Sequence, residues 1–297
     1  MRIAVTGASG LIGGALVPHL RAQGHDVLRM VRQASGAPDE VAWDPMGGTV
    51  DVAGLLGIDA VIHLAGAGVG DHRWTDAYKA TIRDSRSVGT ATLATALASM
   101  DRPPSVLVSG SAIGFYGDTG DTAVDEGTPA GSGFLAEVVV DWESAAQPAR
   151  DAGIRVVHPR TGLVVAGRGG AWAKLWPLVR LGVGGKFGTG RQWWSFISLR
   201  DELAALTYLV HNPVEGPVNL TAPNPVTNAE MTKAMGQLLR RPTVFAVPAK
   251  ALEIALGEFS SEILGSARVL PTRLLEAGFE FQDPTIEKAL AYAWATR

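Results

Sequence analysis

Glycines recur at every third position in Thr6-Gly7-Ala8-Ser9-Gly10-Leu11-Ile12-Gly13, between an apolar β-branched run at 2–6 and a helical pattern at 11–23. Each has a use in that setting. The first permits a sharp turn, the second lets backbone amides approach a pyrophosphate, and the third lets helix and strand pack closely, with the helix N-terminus facing the phosphates. Spacing alone is weak among 36 glycines in 297 residues. The strand before it and the helix after it lift it above an ordinary tight turn. The reading predicts a dinucleotide site at Gly7, Ser9, Gly10, Leu11, Ile12 and Gly13.

The residue about 20 positions past the last glycine selects the cofactor, an acidic one accepting the ribose hydroxyls of NAD. Here the second strand ends in Met30-Val31-Arg32, without Asp or Glu. A guanidinium matches a phosphate dianion with two parallel hydrogen bonds, so Arg32 points to the 2′-phosphate of NADP(H). Arg29 either assists or is solvated on the sheet edge. Asp44, in Trp43-Asp44-Pro45, either caps the adenine amino group or begins a turn. Leu64-Ala65-Gly66-Ala67 follows a strand directly, so its small residues let the backbone lie along the adenine-ribose side.

These residues need parallel strands to hold them. Runs at 26–31, 59–64, 105–109 and 154–158 read as strands, the second apolar on both faces as a central strand must be. Helical patterns cover about 75–99 and 134–152. The alternation predicts an α/β fold, a doubly wound parallel sheet of Rossmann type over 1–165, with a return of the chain near 195–215. Beyond it, Gly-rich segments at 167–170 and 182–190, Pro-rich loops at 213–225 and helices near 227–240 and 248–257 predict a smaller substrate-side lobe over 166–297.

Composition narrows the function. At 46% hydrophobic and 19% charged the chain can bury a large core. A formal charge of −3 gives no general field for nucleic acid or an anionic membrane, so neither is an expected partner. The stretch 3–20 lacks Asp, Glu, Lys and Arg but is too polar to span a bilayer. With no cysteine, disulfides and thiolate metal sites are excluded, and the chain reads as cytoplasmic. Scattered histidines at 63, 72 and 158, without a carboxylate cluster, suggest no metal.

The chain resembles the extended short-chain dehydrogenase/reductases, and more narrowly the "epimerase family" subgroup that carries its own C-terminal domain of unknown function. The resemblance rests on the N-terminal loop and on Arg73-Trp74-Thr75, Ser85-Arg86, the string 109–117, Gly133-Phe134-Leu135-Ala136-Glu137, Pro159-Arg160-Thr161-Gly162, Gly190-Arg191-Gln192-Trp193-Trp194-Ser195, the string 216–223, Arg268-Val269-Leu270-Pro271 and Gly278-Phe279. It implies a Rossmann domain with NADP(H), a substrate cleft beside the smaller lobe, and cofactor contacts at Ser109, Arg160, Gly162 and Leu163, the last two near the nicotinamide. It also implies a possible homodimer through the helices near 80–99 and 134–152.

Typical members use a tyrosine with a lysine four residues on. None of the four tyrosines here fits, because the matching positions hold Ile82, Gly120, Asn212 and Thr296. Three other residues become catalytic candidates. Ser111 sits where the family places a substrate-binding serine, though a strand-end serine also caps loops. Tyr116 either points into the same cleft or packs under the loop. Glu137 is either a partly buried carboxylate with a raised pKa, fit for acid or base work, or an exposed helix residue, or the partner of an arginine such as Arg86. Arg191 with Trp193 and Trp194 suits an anionic, ring-bearing small-molecule substrate, or is packing between lobes. The chain is therefore expected to be an NADP(H)-dependent oxidoreductase or epimerase-like enzyme, or else a silent NADPH-binding sensor.

Overall fold

Strands covered on both faces need apolar side chains at consecutive positions, and the chain supplies them. The computed structural model describes residues 1–297. Its main sheet has nine strands: β1 (Arg2–Thr6), β2 (Asp26–Val31), β3 (Glu40–Asp44), β4 (Thr49–Val50), β5 (Ala60–His63), β6 (Val106–Ser109), β7 (Ser111–Ala112), β8 (Arg155–Thr161) and β9 (Gly216–Leu220). The order is β9-β8-β6-β5-β1-β2-β3-β4, with β7 also on β8 and only β4 antiparallel. The chain winds outward from β1 through β2, then returns to lay β5 on the other side of β1. That reversal is a topological switch point, where open α/β sheets form their ligand crevice.

Side chains alternate between the two faces. Ile3, Val5, Ile62, Val108 and Val157 pack under α1 (Leu11–Ala22) and α4 (Leu199–His211). Ala4, Leu28, Val61, Leu107 and Val156 pack with Leu93 and Leu97 of α2 (Asp76–Ala98). Helix α3 (Phe134–Ser144) lies beside α2. The expected helix at 134–152 breaks after Ser144, and a short second helix, Gln147–Asp151, begins with Pro148 in its first turn, where a missing N–H costs nothing. No helix is long and apolar enough to cross a membrane.

The chain beyond 166 returns to the main sheet through α4 and β9. Pro217 hides β9 from sequence patterning, and the strand lies at the sheet edge, where a proline is tolerated. The remainder forms a lobe around Trp172, Trp176, Phe196, Met231 and Leu290. A two-stranded pair, Ala123–Val124 with Arg268–Val269, stitches that lobe to the first half of the chain.

The switch point is tied by three buried side chains. The Thr6 hydroxyl accepts from the Leu64 and Ala65 N–H groups at 3.0 and 3.1 Å, so its single proton goes to His63 Nδ1 at 2.7 Å. That assignment leaves His63 Nε2–H to donate to Thr90 Oγ1 at 3.1 Å. Only the neutral imidazole fits.

Two predictions follow from this burial. Burial holds His63 and His158 down to about 4. The unfolded chain takes up these protons near the ordinary value of about 6.5 while the folded chain refuses them. Stability therefore falls as pH drops from there and levels off only near about 4, a trend that thermal melts by circular dichroism across the window will show. Thr6→Val strands two N–H groups and an imidazole nitrogen at a cost of about 1–3 kcal/mol in urea unfolding, with Thr6→Ser recovering most of it.

Candidate functional site

The loop between β1 and α1 needs its glycines for space. Gly7 has φ +66°, and a Cβ there would fall 2.7 Å from the Leu64 carbonyl carbon and oxygen. A Cβ on Gly13 would lie 2.2 Å from the Gly7 carbonyl oxygen. Gly10 N–H donates to the Gly7 carbonyl at 2.9 Å, while Ser9 and Gly10 stay exposed at the start of α1. Ile12 packs toward the core, and Leu11 meets the Gly-rich segment 167–170, where a Cβ on Gly169 or Gly170 would fall 3.2 or 3.3 Å from its methyl carbons. The segment read as a lobe loop thus lies against the start of α1.

Arg32 stands exposed just past β2 without an ion-pair partner. Arg29 does not assist it: its guanidinium is held by Asp39 at 2.8 and 2.9 Å and by Glu40 at 3.1 Å. Asp44 begins a turn, its Oδ1 accepting from the N–H groups of Met46 and Gly47 at 3.1 and 2.9 Å, as the local alternative expects. Leu64, Ala65 and Gly66 form the loop that Thr6 fixes. Beneath it, Arg86 Nη1 donates to the Ala67 and Ile82 carbonyls at 3.0 and 3.1 Å, and Ser85 Oγ accepts from Ala67 N–H at 3.1 Å. Ser109 ends β6 fully buried.

Ser111 and Arg160 are register partners on β7 and β8, and both reach Glu143 of α3. Ser111 Oγ donates to Glu143 Oε1 at 2.7 Å, and Arg160 clasps the same carboxylate at 2.8 and 2.9 Å. Arg160 also donates to the Tyr116 hydroxyl at 3.0 Å and lies 3.4 Å from the Phe115 ring centroid. Tyr116 is buried and donates to Asn219 Oδ1 on β9 at 2.8 Å. Tyr116 is thus packed and bonded under the loop. Arg160, expected at the cofactor, has its guanidinium committed to Glu143 and Tyr116. Burial alone would raise the Glu143 carboxyl, but Arg160 and Ser111 outweigh it and leave it below the usual carboxylate range.

Glu137 is not the partly buried carboxylate anticipated. Its side chain is 68% exposed and pairs with Arg83 at 3.2 Å. Six residues are one and two-thirds helical turns, so Glu137 and Glu143 lie about 120° apart around α3, one in solvent and one toward β8. Glu143 is the residue the sequence reading missed. Its signal was its place on the buried stripe of Ala136, Val139 and Trp142, facing a strand that carries an arginine.

Gly162 and Leu163 are clamped at the end of β8. A Cβ on Gly162 would meet the Ser195 carbonyl oxygen at 2.7 Å, and Leu163 N–H donates to that oxygen at 2.9 Å. This brings the tryptophan string beside the turn. Both indole N–H groups are spent inside the chain, Trp193 on Asp121 at 3.0 Å and Trp194 on the Ile263 carbonyl at 3.3 Å, which is the packing alternative. Arg191 is exposed and unpaired.

Glu143→Gln leaves Arg160 buried without a counter-charge, for an expected loss of about 3–5 kcal/mol in urea unfolding. A loss below about 1 kcal/mol would mean that solvent already compensates the pair.

Comparisons with known proteins place the chain in a family. Residues 3–221 match the model of the NAD dependent epimerase/dehydratase family, and residues 247–293 match a domain of unknown function, DUF1731. "Epimerase family protein Mb2239" of Mycobacterium bovis is 46% identical over 293 residues, 98% of this chain and 97% of its own. The crystal structure of the human epimerase family protein SDR39U1 (isoform 2) with NADPH superposes at TM-score 0.92, with 30% identity and 100% of each chain covered. A nucleoside-diphosphate sugar epimerase structure from Corynebacterium glutamicum superposes at 0.82, with 36% identity, 99% of this chain and 58% of that one covered. The chain belongs to the NAD dependent epimerase/dehydratase family, extended at its C-terminus by a DUF1731 domain.

Proposed function

We propose that the chain binds NADP(H) along the Gly7–Gly13 loop and is an oxidoreductase or epimerase-like enzyme on a small substrate held between the sheet edge and the C-terminal lobe. The observation that carries this is the pair of close approaches at Gly7 and Gly13, which leave the start of α1 open to a pyrophosphate while Arg32 stands unpaired at the end of β2. The NADPH in the human relative supports the same choice. The bound cofactor supplies or accepts a hydride. Absence of cysteine fits work in a reducing cytoplasm.

Within that reading Ser111 anchors the substrate. Its proton is committed to Glu143, so its lone pairs are left to accept from a substrate hydroxyl. Arg191 and the partly buried faces of Trp193 and Trp194 line the lobe side. The homodimer reading would use the helices near 80–99 and 134–152; on the first of them Val88, Ala91 and Thr95 line a groove of about 900 Å³. A second reading, a silent NADPH-binding sensor, is favoured by the missing tyrosine-lysine pair and by the charge state of Glu143, which is a weak base when clasped by Arg160.

Arg32→Ala is expected to weaken NADPH binding at least about tenfold, about 1.4 kcal/mol, with little change for NADH. Equal losses in calorimetric titrations would remove Arg32 from the phosphate. Ser111→Ala should cut turnover of any accepted substrate while leaving the NADPH Kd unchanged, and Glu137→Ala should change neither.

A further inference from the structure

Glu202 has no place in the chemistry above, and it is a fully buried carboxylate. It sits in the first turn of α4 with no exposed surface. One oxygen, Oε1, accepts from the Thr161 hydroxyl at 2.9 Å, and the other, Oε2, is buried with no hydrogen-bond partner.

No cation compensates it. α4 packs on α1, β6, β8 and the segments 163–165 and 196–198. β6 and both segments carry no charged residue. On β8, Arg155 is spent on the Leu209, Val210 and Val214 carbonyls, His158 is held neutral by burial, and Arg160 is turned to Glu143. On α1, Arg21 pairs with Asp39, and His19 bonds Gln23. On α4 itself, Arg200 pairs with Asp283, Asp201 accepts from the Gln282 and Asp283 N–H groups, and His211 lies beside His25 at the far end. Burial without a counter-charge raises the Glu202 carboxyl to about 8, so it holds its proton at neutral pH.

Its one partner is placed for use. Thr161 is the partly exposed last residue of β8, directly before the clamped Gly162 turn, and is the register neighbour of Ala112, next to Ser111. Alternation along β8 sends Arg160 to the α3 face and Thr161 to the α4 face. The same sheet edge therefore carries two carboxylates in opposite states, Glu143 ionised and Glu202 protonated. Environments that separate two such groups are how an acid is set apart from a charged neighbour.

We propose that Thr161 and Glu202 form a proton-holding pair on the nicotinamide side of the cleft, which hands a proton to the oxygen of a carbonyl substrate as NADPH reduces it. This rests on the oxidoreductase reading above and names its acid and its substrate class. With the carboxyl protonated the 2.9 Å contact runs the other way, Glu202 donating to Thr161 Oγ, which frees the Thr161 proton. The carbonyl carbon receives the hydride, the C=O π bond breaks toward oxygen, and that oxygen takes the Thr161 hydroxyl proton. Thr161 is reprotonated by Glu202, leaving NADP⁺, an alcohol and the Glu202 carboxylate, which solvent recharges. The pair does the work of the tyrosine this chain lacks.

Infrared difference spectra of the full-length protein, loaded with NADPH or NADP⁺ and titrated from pH 6 to 10, test the placement. A protonated-carboxyl band should vanish with a midpoint near about 8 in the NADPH complex, be absent in Glu202→Gln, and persist to higher pH in Thr161→Val. The positive ring of NADP⁺ favours the carboxylate, so the midpoint should fall by about one unit, a tenfold change in proton affinity. A band that survives Glu202→Gln, or the same midpoint with both cofactors, overturns the proposal. In NADPH oxidation with a panel of ketones and aldehydes, Thr161→Val should lower kcat about 10²-fold with Thr161→Ser largely restored. Undiminished kcat in Thr161→Val overturns the hand-off alone. If no carbonyl oxidises NADPH while the band behaves as described, the oxidoreductase reading falls together with the hand-off.

Discussion

The contact of β1 with β5 at their C-terminal ends governs the rest of the molecule. Gly7 lies so close to the Leu64 carbonyl that no side chain fits, and Gly13 lies so close to Gly7 that the same holds one helical turn on. Thr6 and His63 turn that approach into a fixed geometry. One hydroxyl has three partners, so its proton has one destination, and the imidazole has one tautomer. The crevice at the switch point, the opening of α1 and the course of the loop at 64–67 all follow from this small buried knot.

A second constraint governs the far end of the crevice. Arg160 is a buried cation on β8, the strand next to the sheet edge, and burying a charge is tolerable only with a partner and good hydrogen bonds. Glu143 provides both, and Tyr116 carries the network across to Asn219 of β9. Asn219 Nδ2 donates in turn to the Leu270 carbonyl at 2.9 Å, so the sheet edge and the C-terminal lobe share one set of bonds. The lobe is therefore held to the sheet edge by polar groups.

How much of this was legible varied with the range of the interaction. The glycine loop, its strand and helix, and the two-faced apolar runs were readable because they depend on neighbours within a few residues. Strand β9 was not, since its proline speaks for a turn unless it is known to lie at a sheet edge. Glu137 looked like the buried acid because it is close in sequence to the empty tyrosine position, and Glu143 was passed over although it lies on the apolar stripe of the same helix. Arg160 was assigned to the cofactor by its string, yet its guanidinium is bound to a helix 17 residues earlier in the chain.

By itself the sequence determined the doubly wound sheet, the glycine loop between β1 and α1, the basic residue at the end of β2 and the absence of a tyrosine-lysine pair, all set by local spacing and composition. The tertiary structure alone decided which charges are free. Arg29 and Arg32 are three residues apart and chemically alike, and only packing against Asp39 and Glu40 separates a neutralised arginine from an open one. Glu143 and Glu202 are the same residue type, and the one lies against a guanidinium while the other faces a hydroxyl and apolar side chains. A side chain's charge state depends on what surrounds it in three dimensions, and its neighbours in sequence do not specify that.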